Sequence, residues 1–267
     1  MSKIYSQDVS LIKRKNSFMK GFATFLAMLL VANIVFWSGV GISYLLSSKG
    51  FTWFRSNKIN VNSVNYYAII FGDFDTESEA LECSIWTSSS GGGAYVFEES
   101  TFAVVGMIYE SIDDANLVIS NFSEDLTYSP VVKQYKSTKF SFIVENVSPA
   151  DKKDIEDVVG LIKTTVDKTL LVSNKIDTNV LSNVSASSEI NSIKSEIKIA
   201  KSSIDAINSS YNNQYLTELS KYLTKAEDTL DICINKLLTS ENYSGVCKYC
   251  ACELFFNFYN LSKNIVK

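Results

Sequence analysis

The pattern of apolar and polar positions changes twice along the chain and divides it into three parts. Residues 22–46 form an unbroken run of 25 residues without a charged side chain. Residues 66–136 alternate short apolar runs with polar segments, and from residue 149 onward apolar residues recur every three or four positions. The first pattern is typical of a membrane helix, the second of a mixed sheet-and-helix domain, and the third of packed helices.

The first run is long enough to cross a bilayer, because about 20 helical residues span a hydrocarbon core of roughly 30 Å. A cleaved signal peptide has an apolar region of only about 7 to 15 residues, and 25 uncharged residues are long for a buried core helix. Basic residues are more numerous before the run than after it, which predicts a cytoplasmic N-terminus. The sequence thus predicts a single-pass protein of the cell membrane, with a cytoplasmic tail (1–21), a transmembrane helix (22–46) and an extracytoplasmic C-terminal region.

The second part follows a polar linker at 47–65 and predicts the order strand, helix, strand, strand, helix, strand over residues 66–137. Its first helix begins after Thr76, and Glu79 three residues later completes a capping-box pattern. Its second helix begins at Ser111, another good capping residue. This order predicts a βαββαβ (ferredoxin-like) domain, an antiparallel four-stranded sheet with two helices on one face.

The third part, residues 149–267, predicts an all-α helical hairpin or bundle. Spacings of three and four define an unbroken heptad seam at Ile190, Ile193, Ile197, Ala200, Ile204, Ile207 and Tyr211. Loops near 185–188 and 212–214 predict two or three antiparallel helices, and an intermolecular coiled coil is the alternative. Together the three parts predict an α+β fold with one N-terminal transmembrane helix.

Composition excludes several classes of function. The chain has no histidine, which removes the commonest general base and transition-metal ligand. A net charge of −4 and only two arginines argue against nucleic-acid binding. The acidic residues at 73–79 begin a helix, where the dipole favours them, and Gly91–Gly93 precedes a strand, which indicates a flexible turn and no phosphate loop. We therefore expect a protein that is not an enzyme, with no catalytic residues and no cofactor.

Five cysteines leave a second kind of chemistry open. Cys247, Cys250 and Cys252 combine a C-x-x-C with a C-x-C spacing, and Cys233 could add a fourth thiolate for zinc. A redox-active C-x-x-C is another possibility. Because the motif runs into an apolar helix, we expect these cysteines to pack in the core or to form a disulfide, and they are only weak metal candidates.

Short motifs in the second part carry a family resemblance over residues 66 to about 136. They are Gly72-Asp73-Phe74, Glu79-Ala80, Phe102-Ala103-Val104, Tyr109 and Asp114-Ala115. In these motifs the domain resembles the SPOR (sporulation-related repeat) family. Members of that family bind peptidoglycan, chiefly glycan strands without peptides, at division or sporulation septa. The resemblance implies a glycan on the sheet face that carries no helices, where aromatic side chains stack on sugar rings.

The resemblance implies five candidate glycan-binding residues, Tyr67, Phe71, Phe74, Tyr95 and Phe102. At two positions the chain departs from the family: Ile70 stands where a glutamine is frequent, and Ala103 where an arginine is frequent. Both changes remove polar contacts to a glycan.

Two hypotheses follow from these parts. The first is a membrane-anchored cell-envelope protein that binds septal peptidoglycan in division or sporulation. The alternative is a membrane-anchored scaffold whose small domain and C-terminal helices bind only protein partners, such as division or sporulation proteins.

Overall fold

The computed structural model describes residues 57–122 and 127–266, which belong to one compact unit, Asn57–Lys267. This part of the chain is α+β. Its strands are β1 (Lys58–Val61), β2 (Asn65–Phe74), β3 (Tyr95–Glu98), β4 (Phe102–Tyr109), β5 (Val131–Lys136) and β6 (Phe140–Ile143). Its helices are α1 (Glu77–Ser89), α2 (Ile112–Ser120), α3 (Pro149–Asp177), α4 (Asn183–Tyr211), α5 (Gln214–Thr239) and α6 (Tyr243–Val266).

A four-stranded antiparallel sheet has the strand order β3-β4-β2-β5. Its elements follow the predicted order along the chain, and α1 and α2 pack on the same face. Thr76 caps α1: its hydroxyl accepts a hydrogen bond from the Glu79 amide and donates one to the Glu79 carboxylate. Ser111 caps α2 by accepting a hydrogen bond from the Asp113 amide. Register shifts on either side of Ile70 mark an irregularity in β2, of the kind that re-aims the side chains of a strand.

Strands β1 and β6 form a small second sheet that the sequence did not predict. Strand β1 lies at the end of the predicted linker (47–65), and β6 lies beyond the predicted small domain (66–137). Ile59 is opposite Phe142 in this antiparallel pair, and both side chains are buried. Each strand has only four residues, so its alternation of buried and exposed positions is too short to distinguish it from a loop.

Four long helices, α3 to α6, complete the described unit, where the sequence predicted two or three. The predicted seam of α4 is buried from Ile190 to Ile207. The break predicted near 185–188 instead lies between α3 and α4, where Asn179 has a φ of 55°. The predicted break after Tyr211 is present: Asn212 ends α4 with a φ of 47°, and the Asn213 side chain caps α5.

The boundary predicted between the small domain and the helices lies inside a single core. Buried residues of β2, β4 and β5 form one continuous cluster with those of α3 to α6. Polar contacts cross the same boundary: the Tyr66 hydroxyl donates to Asp167 of α3, and Lys163 of α3 pairs with Glu110 after β4. The two sequence regions therefore fold as one body in the described residues.

Across residues 57–122 and 127–266, no helix is long and apolar enough to cross a membrane. Helices α3 to α6 have sufficient length, but charged residues interrupt each of them. In α3 to α5 this pattern is expected, because each helix packs on one side and meets water on the other. This finding corrects the predicted fold class with a transmembrane helix, the predicted single-pass membrane protein, and the predicted cell-membrane location with an extracytoplasmic C-terminal region. The segment on which those predictions depended, 22–46, lies outside the described residues.

Candidate functional site

The sheet face opposite α1 and α2 is covered by the last helix, α6. The Phe256 ring stacks on the Phe97 ring with centroids 4.2 Å apart and on the Tyr95 ring at 5.6 Å. The Phe255 ring meets the Tyr66 ring edge-on at 4.8 Å. Because Phe255 and Phe256 are fully buried, this face of the sheet is part of the core.

Ile70 and Ala103, the two departures from the SPOR pattern, both lie on the face under α6. Their exposed fractions are 1% and 3%, and both belong to the core cluster that contains the α6 aromatic residues. A polar side chain at either position would lose its water without gaining a hydrogen-bonding partner, which costs several kcal/mol for a charged group. The apolar residues at these two positions therefore fit a sheet face that packs against protein.

The five predicted glycan-binding residues do not share one face. Tyr95 lies under α6, half-buried against Phe256 and Tyr249. The other four, Tyr67, Phe71, Phe74 and Phe102, pack with the cluster beneath α1 and α2. The structure thus separates Tyr95 from the others, and it places none of the four on the face to which the resemblance assigned the glycan.

The glycine run before β3 brings the backbone close to α6. A Cβ atom at Gly93 would lie 2.6 Å from the Tyr249 amide nitrogen and 3.0 Å from the Gly106 carbonyl oxygen. The Asn242 amide group donates to the Ser88 carbonyl, and the Lys248 ammonium donates to the Gly91 carbonyl. We predicted a flexible turn here, but glycine is required because there is no room for a side chain between the loop and α6.

We expect Gly93→Ala to destabilise the protein by about 1 to 3 kcal/mol, because its methyl group would push α6 away from the loop. Chemical denaturation of residues 57–267 would measure the change. Gly160→Ala is the matched control: nothing lies within 4 Å of the position that its methyl group would take on α3, so this change should stabilise the helix by about 0.5 to 1 kcal/mol. Equal effects of the two substitutions would contradict the close approach.

A row of aromatic side chains lies on the α1 and α2 side of the sheet. The Trp86 ring contacts the rings of Phe71 and Tyr128, with centroids 5.6 and 5.4 Å apart. Phe71 also meets Phe122 at 5.8 Å, and Tyr128 meets Phe74 at 6.2 Å. Phe71, Trp86 and Phe122 line a cleft of about 340 Å³ between α1 and α2. We call it the aromatic cleft.

The sequence contained only a partial signal for this cleft. Of its three aromatic residues named above, Phe71 was among the predicted glycan-binding residues, whereas Trp86 and Phe122 were not. Phe122 follows the end of α2 and is 38% exposed. Aromatic residues at helix ends give no signal of exposure until neighbouring elements are placed.

All five cysteines are free thiols and buried. Cys233 and Cys250 line a second cleft, of about 400 Å³, between α1, α5 and α6. A hydrogen bond with Cys233 and burial raise the pKa of Cys247, and burial raises the pKa of Cys252. In the part of the chain that the structure describes, no three cysteine, aspartate or glutamate residues are grouped so as to hold a metal ion.

We expect the five thiols to react slowly with Ellman's reagent in the native protein and completely after unfolding in guanidinium. All five thiols are buried and shielded from the reagent. The raised pKa of Cys247 and of Cys252 further lowers the fraction of reactive thiolate at those two residues. Ile232→Cys, at a half-exposed position on α5, should react rapidly and serves as the control. Rapid native reaction of Cys247 or Cys250 would instead indicate an accessible redox site.

Comparison with known proteins identifies no relative. No protein-family model, no curated protein and no solved structure matches the chain. These comparisons lend no support to the SPOR resemblance or to a part in sporulation or division, and both remain predictions from the short motifs alone.

Proposed function

We propose that the described part of this chain is a non-catalytic module that binds a protein partner. The burial of Ile70 and Ala103 beneath α6 carries this proposal. The sheet face to which the resemblance assigned a glycan is covered by aromatic residues of α6. A partner must therefore bind to another surface.

The α1 and α2 side supports a role in protein contact. Four large apolar side chains there are about half or more exposed: Leu81, Ile85, Ile112 and Leu117. Phe122 at the aromatic cleft is also 38% exposed, and Ile85 lines the second cleft. Exposed apolar side chains close to apolar clefts are typical of surfaces that bind other proteins.

Glycan binding at the sheet face opposite α1 and α2 would require α6 to leave the sheet. That movement would expose the stacked pair of Phe97 and Phe256 and the buried Phe255. Fully burying one such side chain is worth about 1.5 to 3 kcal/mol, so opening the face would cost a large part of the stability of a typical domain, about 5 to 15 kcal/mol.

A photo-crosslinking amino acid at Leu117 of α2 tests this proposal in cells that produce the protein. We expect a discrete protein adduct, because Leu117 is 62% exposed on the proposed binding side. The same probe at Ile199 of α4, which is 72% exposed, is the matched control and should give no adduct. Adducts to glycan at Leu117, or protein adducts at Ile199 alone, would overturn the proposal.

A further inference from the structure

The aromatic cleft has the size and lining of an anchor pocket. Its volume of about 340 Å³ is at the lower end of the range for ligand pockets, about 300 to 1,000 Å³. Its lining is mainly apolar, and Gly106 keeps a side chain away from the Phe71 ring, which lies 2.4 Å from the position of a Cβ atom at residue 106. A single large apolar side chain from outside would fill such a space.

The inner part of the cleft carries no unbalanced charge. Lys248 reaches it from α6, but the Lys248 ammonium pairs with the Asp177 carboxylate at 2.9 Å and donates to the Gly91 carbonyl at 3.0 Å. Burial raises the pKa of Tyr109 to about 12, so this phenol is neutral at physiological pH. The group that enters the cleft should therefore be apolar, since an ion would lose its hydration there without finding a free partner.

The part of the sequence that supplies most of the cleft lining is rich in acidic residues. Between Ile59 and Val132 the sequence contains twelve Asp and Glu residues and no Lys or Arg. Glu82 precedes Trp86 by one turn of α1, and Asp114 precedes Val118 by one turn of α2, which places an exposed carboxylate beside a cleft-lining residue on both helices. Neither carboxylate forms an ion pair with another described residue.

We propose that the aromatic cleft binds a basic segment of a partner protein, which inserts one aromatic or large aliphatic side chain between α1 and α2 and places lysines or arginines beside Glu82 and Asp114. The apolar lining selects the inserted side chain, and the unpaired carboxylates select the flanking charge. Buried aromatic anchors surrounded by complementary charges commonly supply most of the affinity of a protein interface. This inference rests on the proposed function and specifies its partner.

A random library of 12-residue peptides displayed on phage and selected on the full chain tests the inference. We expect the enriched peptides to carry a net positive charge and one Trp, Phe, Tyr or Leu at a recurring position. A synthetic peptide of the enriched sequence should bind about tenfold more weakly when that residue is replaced by Ala. Its affinity should also fall as salt rises from 50 to 300 mM, because exposed charges are screened. Enrichment of acidic or uncharged peptides, or no enrichment, would overturn the inference.

Variants of the chain locate the site. The double substitution Glu82→Gln and Asp114→Asn changes only exposed side chains and should weaken the peptide about tenfold, as should Phe122→Ala. The control pair Asp228→Asn and Glu241→Gln makes the same change in charge at exposed positions on and after α5 and should leave affinity unchanged. If both double variants lost the same affinity for the peptide, net charge alone would explain the loss, and the proposed site would be refuted.

The two proposals can fail separately. If Leu117 crosslinks to a protein but no basic peptides are selected, the protein-binding function is supported and the basic partner segment is refuted. Absence of any protein adduct would count against the proposed function itself, whatever the peptides show.

Discussion

Replacing Phe256 with alanine should lower the free energy of unfolding of residues 57–267 by about 3 to 5 kcal/mol. The Phe256 ring is fully buried and contacts Tyr95, Phe97 and Tyr135 of the sheet. Its removal would leave a cavity between α6 and β3, β4 and β5 that rigid strands cannot close. Equilibrium unfolding in guanidinium, followed by far-ultraviolet circular dichroism, measures the change.

Two further variants make this result specific to the contact between α6 and the sheet. Phe256→Leu keeps part of the volume and should cost clearly less than the alanine variant. Ile199→Ala, on the exposed side of α4, should change stability by no more than about 0.5 kcal/mol. If Phe256→Ala were as mild as Ile199→Ala, the helix would not be an integral part of the core, and the sheet face would again be available to a ligand.

The sequence predicted the elements of the small domain because their signals are local. Thr76 with Glu79 marks the start of a helix within four residues, and the run from Tyr66 to Phe71 is apolar over the length of a strand. The heptad seam from Ile190 to Ile207 likewise predicts which side of α4 is buried, and it does so without information from the rest of the chain.

The run from Tyr66 to Phe71 also contained a signal that the prediction did not use. A strand with one face in water alternates apolar and polar residues, whereas a strand buried on both faces reads as a continuous apolar run. Six apolar residues in succession thus indicate that both faces of β2 are covered, in agreement with their burial or half-burial. The helix around Phe255 and Phe256 is apolar on nearly all sides, which also indicates a helix surrounded by protein.

Pairing these two signals was beyond a local reading of the sequence. More than 180 residues separate Tyr66 from Phe255, and neither segment contains a sequence signal that indicates contact with the other. The resemblance assigned a glycan to this sheet face, so the prediction did not consider that a helix of the same chain could cover it. Ile70 and Ala103 were recognised as departures from the SPOR pattern, and only the structure shows that both are buried in the core with the aromatic residues of α6.

An arginine at position 103, where the SPOR pattern frequently has one, should unfold the protein instead of creating a glycan site. Ala103→Arg would bury a guanidinium group in the core between the sheet and α6, where the alanine is 3% exposed. An unpaired buried charge costs several kcal/mol, and overpacking adds about 1 to 3 kcal/mol. We therefore expect a loss of more than about 4 kcal/mol, seen as a collapse of the thermal transition, and no retention of the variant on purified peptidoglycan.

Val131→Arg gives the matched control, since it adds the same side chain to the edge strand β5 at a position that is 56% exposed. This variant should fold with a stability within about 0.5 kcal/mol of the unchanged protein. The outcome that would contradict this view of the sheet is a folded Ala103→Arg protein that gains affinity for glycan strands while Val131→Arg does not. In that case α6 would be a displaceable cover, because an arginine at position 103 can reach a sugar only after the helix has left the sheet.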